Sequence, residues 1–254
     1  MPEEGAQALV GSTLAWIDDV LARLEVDVSP LKSVAENLAT DEALARAAAT
    51  DRRALLRLWW GDAPAVVVGS AEKPEQVADL DACRRLGVPV LQRRSGGGTV
   101  LQTADVLNYS LTAPGAKLLD VHLVFTLGAR LLIGALAELG LAAEMRGTSD
   151  VVVGDRKISG NAQARRWGGL LLHGTLLCDL DLALVEACLR HPPREPAYRQ
   201  GRSHRDFLTT LRAEGVTAGP LAVQAAVVAA ARDLCAAGWP RKPSATPTSN
   251  DSRH

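Results

Sequence analysis

An α+β fold, one sheet flanked by helices, is predicted by three features of this sequence. Apolar strand-like runs and alanine- and leucine-rich helical stretches are interleaved without the regular strand–helix–strand alternation of parallel winding. The chain has 254 residues, 47% of them hydrophobic, enough to bury a full core in one large domain or two small ones. Three consecutive glycines, Gly96, Gly97 and Gly98, lie between two apolar strands, so a loop of wide backbone freedom is held at both ends by sheet.

Residues 1–30 carry one amphipathic segment, at 14–21, and end in Ser29-Pro30, which reads as a peripheral N-terminal extension. Over 33–49 the residues Leu38, Leu44 and Ala48, among many alanines, predict a helix. Residues 55–60 and 65–69 read as strands separated by the turn sequence Gly61-Asp62-Ala63-Pro64. A helix is expected over 75–86, with Val77, Leu80, Cys83 and Leu86 on one side. Residues 88–91 and 99–101 are the strands that bracket the glycine loop, and 106–111 is another. The longest helix covers 121–139 and is stopped by Gly140. Residues 150–160 form a hairpin about Gly154-Asp155, and 170–177 a strand that contains His173. Helices are expected at 182–190, 203–214 and 220–237, and the Pro/Ser/Thr-rich tail, 240–254, is expected to be disordered.

A formal charge of −1, with 22% charged residues, argues against an electrostatically driven nucleic-acid binder. No apolar run reaches 18 residues, and Met1-Pro2-Glu3-Glu4 lacks the basic start of a signal peptide, so a cytoplasmic protein without membrane association is expected. The four cysteines are far apart and form no CxxC pair, which fits reduced thiols rather than a disulfide framework or zinc site. No Gly-x-x-x-x-Gly-Lys-Ser/Thr motif is present, so a P-loop nucleotide site is excluded.

Three stretches carry chemistry. Arg93-Arg94-Ser95 leads into the glycines, where exposed peptide N–H groups and guanidiniums suit a phosphate or carboxylate. In the hairpin, Lys157 and Ser159 alternate with Ile158. If Ile158 enters the core, Lys157 points to the opposite face, where a ligand can sit; most lysines are simply solvated. Finally, His173 lies within an apolar strand, where a satisfied core histidine is commoner than a catalytic one.

Taken in order, these motifs resemble the lipoate–protein ligase family of the biotin/lipoate ligase superfamily. The matching stretches are Arg93-Arg94-Ser95-Gly96-Gly97-Gly98-Thr99-Val100-Leu101, Leu107-Asn108-Tyr109-Ser110, Asp150 with residues 154–163, and His173-Gly174-Thr175-Leu176-Leu177. Residues 35–44 also look like the family's opening helix, so the resemblance spans about 33–215. It implies an α/β fold built on a mixed, largely antiparallel sheet flanked by helices, with one catalytic acyl-ligase domain over 31–239. It also implies a two-step reaction. ATP and lipoic or octanoic acid give acyl-adenylate and pyrophosphate, and a lysine of a lipoyl-carrier domain then displaces AMP.

In that scheme Lys157 bridges the α-phosphate and the acyl carbonyl oxygen, and Arg93 holds phosphate. Gly98, Thr99, Val100 and Leu101 meet the nucleotide largely through backbone, and Asp150 binds Mg²⁺ through oxygen. Ser95, Gly96, Gly97, Asn108, Tyr109, Gly160, Asn161, Ala162, Gln163, Gly174 and Thr175 complete the implied binding surface. His173 is left open between orienting a ligand and supporting the sheet.

The chain departs from the family pattern in places. Gln92 stands where many members have arginine, Gln102-Thr103 replaces a His-Asp pair, and no glycine directly precedes Leu107-Asn108-Tyr109. The accessory domain of larger ligases has no counterpart after about residue 240, so a separate accessory polypeptide enters the expectation. One rival reading is an octanoyltransferase of the same superfamily, which works through a cysteine thioester. Cys83, Cys188 and Cys235 occupy apolar helix positions, and alternation turns Cys178 away from His173 and Thr175. The other rival is a non-catalytic subunit that binds acyl-adenylate or a carrier, against which stand Lys157, Asp150 and Arg93 together. The basic loop 194–203 is read either as steering an acidic carrier domain or as simply solvated.

Overall fold

The computed structural model describes residues 2–115 and 118–240; of the tail expected to be disordered, 241–254 lie outside the described residues. Among the described residues, ten strands form two sheets. The larger contains β1 (Leu24–Val28), β2 (Ala54–Trp59), β6 (Val106–Pro114), β7 (Glu144–Arg146), β8 (Asp150–Val153), β9 (Arg156–Arg166) and β10 (Gly169–Leu177). Its order is β1-β2-β6-β10-β9-β8-β7, with β1–β2 its one parallel pairing. The smaller sheet is β4-β3-β5, from β3 (Ala65–Val68), β4 (Val90–Gln92) and β5 (Val100–Gln102). This is the mixed, largely antiparallel architecture expected.

Helices cover both faces of the large sheet. On one face α2 (Val34–Asp51) packs against β6 and β10. Its start is fixed by a capping box, in which Ser33 accepts from the Glu36 amide and Glu36 accepts from the Ser33 amide. On the other face lie α1 (Pro2–Ala22), α5 (Val121–Glu138) and α8 (Pro220–Ala237). By length and composition α5 and α8 are apolar enough to cross a membrane. Here they pack side by side, with Gly134 close to Ala230 and Leu132, Leu136, Val223 and Val227 buried in the main core. Short helices α3 (Pro74–Val77), α4 (Leu80–Arg85) and α6 (Leu182–Cys188) enclose a second core beside the small sheet.

The amphipathic segment 14–21 packs into the main core: Ile17 and Val20 are fully buried, Trp16 donates to the Pro114 carbonyl at 2.8 Å, and β1 pairs with β2. The apolar stripe of the amphipathic segment accounts for this, whereas β1 (Leu-Glu-Val-Asp-Val) is largely exposed and carries little strand signal. The helix expected over 75–86 breaks at Ala78, whose extended backbone bridges to Leu189. The helix expected over 203–214 shrinks to α7 (His204–Phe207), because Leu208 and Thr209 pair with the backbone of Lys157 instead.

One buried ion pair joins α2 to the sheet. Arg57 on β2 donates to Asp41 at 2.7 Å, and both side chains are about as inaccessible as any leucine of the core, at 2% and 1% exposure. Asp41 also accepts from Ser110 at 2.7 Å and Trp59 at 3.1 Å, while Arg57 donates to Ser29 at 2.6 Å and to Asn37. Full satisfaction is what makes two buried charges tolerable. Asp41→Ala should therefore lower unfolding free energy by about 3–5 kcal/mol, since it strands a guanidinium away from water. Urea denaturation of the variant against wild type measures this, and a loss below about 1 kcal/mol would refute it.

Candidate active site

The hairpin β8–β9 supplies the charged centre. A bulge between Val151 and Val152 shifts the register, so that Asp150 faces Gly160 while Val152 faces Lys157. Ile158 is fully buried in the main core, as the sequence suggested. The Lys157 side chain folds back over Gly160 and places Nζ 2.8 Å from Asp150 Oδ1. A Cβ on Gly160 would lie 2.8 Å from that Nζ and 2.9 Å from Cε, so a side chain there would displace the lysine end from its place beside Asp150. The second oxygen of Asp150 accepts from the Tyr198 hydroxyl at 2.8 Å.

The glycine loop is braced from within. Arg93 is buried, and its guanidinium donates to Ser95 Oγ (3.0 Å) and to the carbonyls of Val67 (3.1 Å), Gly96 (2.7 Å) and Gly98 (2.7 Å). Its donors thus hold the loop, and Arg93 also lines the small lobe. Burial pushes its pKa down to about 10, still charged at neutral pH. Gly97 takes a φ of +83°, and its carbonyl would sit 2.0 Å from any Cβ at Gly69. Thr99 donates to Glu72 at 2.8 Å, which ties the far end of the loop to the segment after β3.

His173 Nε2 is 2.6 Å from Ser95 Oγ. The Ser95 hydroxyl accepts from Arg93 and has one proton to donate, so Nε2 is the acceptor of a neutral ring. Burial, then the nearby Arg93 charge, lowers the His173 pKa to about 3. Asn108 pairs reciprocally with Gln102, at 2.7 and 3.0 Å, in a buried amide couple.

Two cavities open on either side of this centre. The larger, about 360 Å³, is lined by apolar Val77, Leu180, Val185, Leu189 and Phe207, and by Arg190, Arg194, Arg199 and His204. The smaller, about 150 Å³, is lined by Leu38, Trp59, Val67, Val100 and Ala162 together with Arg93, Asn108 and His173. Gly98, Thr99, Val100, Ser149, Asp150, Lys157, Gly160 and Thr175 belong to the walls of both. Lys157 and Asp150 therefore stand at the waist of one two-lobed cleft.

Most residues singled out from sequence meet there. Gly97, Asn161 and Gly174 line the small lobe, and Leu101 the large one. Ser95 and Gly96 support the loop from behind. Tyr109 and Gln163 are not on the cleft surface. Tyr109 is buried against Gly128 of α5 and donates to Asn161 at 2.6 Å, while Gln163 donates to the Val121 carbonyl at the start of that helix. Strand alternation puts them on the α5 side. Trp59, Leu38, Glu72, Tyr198 and Arg199 were missed. Tyr198 and Arg199 lie in the basic loop, which folds over the large lobe; Trp59 sits in a strand buried at every position, where alternation carries no signal.

The fold is that of the biotin/lipoate ligases, and the chain belongs to the lipoyl protein ligase A/B catalytic domain family, whose model matches residues 33–232. It is 30% identical over 234 residues to the octanoyltransferase LipM of Symbiobacterium thermophilum, covering 81% of each chain. It is 33% identical over 145 residues to a protein of Aeropyrum pernix named as a lipoate-protein ligase A, covering 57% of this chain and 54% of that one. The chain thus spans little more than half of the latter's length. Among solved structures, the bi-partite lipoate protein ligase of Thermoplasma acidophilum, described with its E2 lipoyl domain, superposes with a TM-score of 0.70 at 25% identity. The match covers 85% of this chain and 92% of that one.

The neutral His173 makes a testable contribution to stability. The unfolded chain takes up its proton near the ordinary value of 6.5, the folded chain near 3. Between those values the unfolded state binds more protons, so stability is full above about 6.5 and falls as pH drops, by up to about 1.4 kcal/mol per pH unit. His173→Gln should flatten that slope between pH 7 and 5 in denaturant titrations. An unchanged slope would mean that His173 titrates normally in the fold.

Proposed function

We propose that this protein is an ATP-dependent ligase that activates lipoate or octanoate as an acyl-adenylate and passes the acyl group to a lysine of a lipoyl-carrier domain. The observation that carries the reading is the position of Lys157, whose amine stands at the waist between two lobes, 2.8 Å from Asp150, with no thiol on either wall. The small lobe, with Leu38, Trp59, Val67, Val100 and Ala162 among its lining, suits a short acyl chain, and the larger lobe, with its arginines, suits the nucleotide.

In the first step a carboxylate oxygen attacks the α-phosphorus and the bond to the β-phosphate breaks, releasing pyrophosphate. Two anions must approach, so a fixed cation between them lowers the barrier. Lys157 supplies it, and the same ammonium can polarise the acyl carbonyl in the second step. There the carrier amine attacks that carbonyl, AMP leaves, and an amide forms. Positioning beside a good leaving group does much of the work. Among the described residues no cluster of three metal-ligating side chains is present. Asp150, on the walls of both lobes, would be a ligand for a Mg²⁺ that arrives with the triphosphate, since Mg²⁺ commonly takes one or two carboxylates plus substrate phosphates. That ion would shield phosphate charge.

An octanoyltransferase working through a cysteine thioester, the reading that the name of the Symbiobacterium relative brings in, finds less support. Cys83 and Cys188 are buried in the second core, and Cys178 donates to the Leu176 carbonyl with its pKa pushed up to about 12 by burial. The bi-partite Thermoplasma ligase supports including a separate accessory polypeptide in the scheme.

The test is mass spectrometry of a lipoyl-carrier domain incubated with the protein, Mg²⁺ and lipoate or octanoate, with and without ATP. Modification should require ATP, and acyl-AMP should be detectable without the carrier. Lys157→Ala should cut acyl-AMP formation at least a hundredfold, a loss of about 3 kcal/mol in the transition state. Replacing all four cysteines with serine should spare it. ATP-independent transfer that dies with Cys178 would establish the transferase instead.

A further inference from the structure

The segment 196–209 roofs the large lobe and is fastened to the β8–β9 hairpin at three points. Arg202 donates to the Asp155 carboxylate at 2.9 Å and to its carbonyl at 3.1 Å. The Thr209 amide donates to the Lys157 carbonyl at 2.9 Å. The third fastening is the Tyr198 hydroxyl on Asp150 Oδ2, at 2.8 Å. The first two are ordinary loop attachments, whereas the third touches the charged centre. Asp150 has two oxygens; Lys157 occupies one and Tyr198 the other, so the pair of contacts fixes the carboxylate's rotation.

The tyrosine is itself held firmly. Its ring packs on Phe207 with centroids 5.3 Å apart, and the Arg146 guanidinium lies 5.6 Å over it. On another side is Gly147, where a Cβ would lie 3.6 Å from the ring. Little of this seat depends on the hydroxyl, which can be removed while the ring stays.

We propose that Tyr198 is a positioning residue for the ligase reaction: its hydroxyl sets the Asp150 carboxylate, and through it the place of the Lys157 amine at the waist of the cleft. The inference rests on the ligase reading above. Contacts of this kind, one bond removed from the acting group, commonly alter activity by 10–100-fold although they never meet substrate. The same hydrogen bond couples the roof to the centre, so Arg199 of the roof and the amine of Lys157 are held in a single frame.

The test compares wild type, Tyr198→Phe, Asp150→Asn and the double variant in acyl-AMP formation. Alongside it, the rate at which an amine-reactive reagent labels Lys157 is followed by mass spectrometry, with Lys32 and Lys73 as internal references. Tyr198→Phe should lower kcat about tenfold or more with little change in KM for the acid, and should speed Lys157 labelling severalfold relative to the references. In the Asp150→Asn background the same change should have no further effect on labelling or turnover. Wild-type kcat and labelling in Tyr198→Phe would overturn the assignment. So would an equal loss in both backgrounds with Lys157 labelling unchanged, which would mean that the phenol only packs the roof. Wild type inert with ATP, in contrast, would remove the ligase reading and this inference with it, whatever the variants did.

Discussion

A guanidinium taken out of water must find an acceptor for nearly every N–H it carries, and the Arg93 side chain organises this molecule by meeting that demand. It finds its partners in the carbonyls of Val67, Gly96 and Gly98 and in the hydroxyl of Ser95. To present those carbonyls the loop must curl around the charge, which is why it contains glycines and why Gly97 takes a positive φ. The curl in turn leaves Ser95 able to donate to His173 on β10, so the small sheet is latched to the large one. The cleft runs along that seam, and its two lobes lie on either side of the region where loop and hairpin approach each other.

A second buried arginine works on α2. Arg57 and Asp41 lock the helix to β2 and β6, and Asp41 also takes the indole proton of Trp59. One wall of the small lobe is therefore held by buried polar groups that do not line that lobe. Shape in an apolar pocket usually follows from close packing alone. Here a hydrogen bond adds a direction, because an indole held at Nε1 cannot roll freely in its seat.

Much of this was readable from the sequence, and the exceptions have physical causes. The elements with strong periodicity or clear punctuation, such as α5 with Gly140 beyond its end and the hairpin about Gly154-Asp155, appear where expected to within a few residues. The order of the motifs disclosed the family. Strand β1 was invisible because its alternation is almost wholly exposed, and Trp59 because its strand is buried on both faces. The contact made by Tyr198 lies 48 residues from its partner in sequence, and no local pattern reports a pairing of that range. Residue type and spacing drew attention to Arg93, yet its bonds to the carbonyls of Val67, Gly96 and Gly98 carry no signal in sequence, because a buried guanidinium can serve carbonyls as readily as phosphate.

The meeting of Gly69 with the Gly97 carbonyl reaches beyond this conformation. No Cβ can be accommodated at Gly69 while that carbonyl stays in place, and the carbonyl cannot move without releasing the loop from Arg93. The turn after β3 and the glycine loop are thus a single unit of inheritance, divided in sequence by 27 intervening residues. Chimaeras that graft one without the other will inherit a collision, and saturation mutagenesis at Gly69 alone will return glycine. Engineering of the cleft must begin from segments exchanged together.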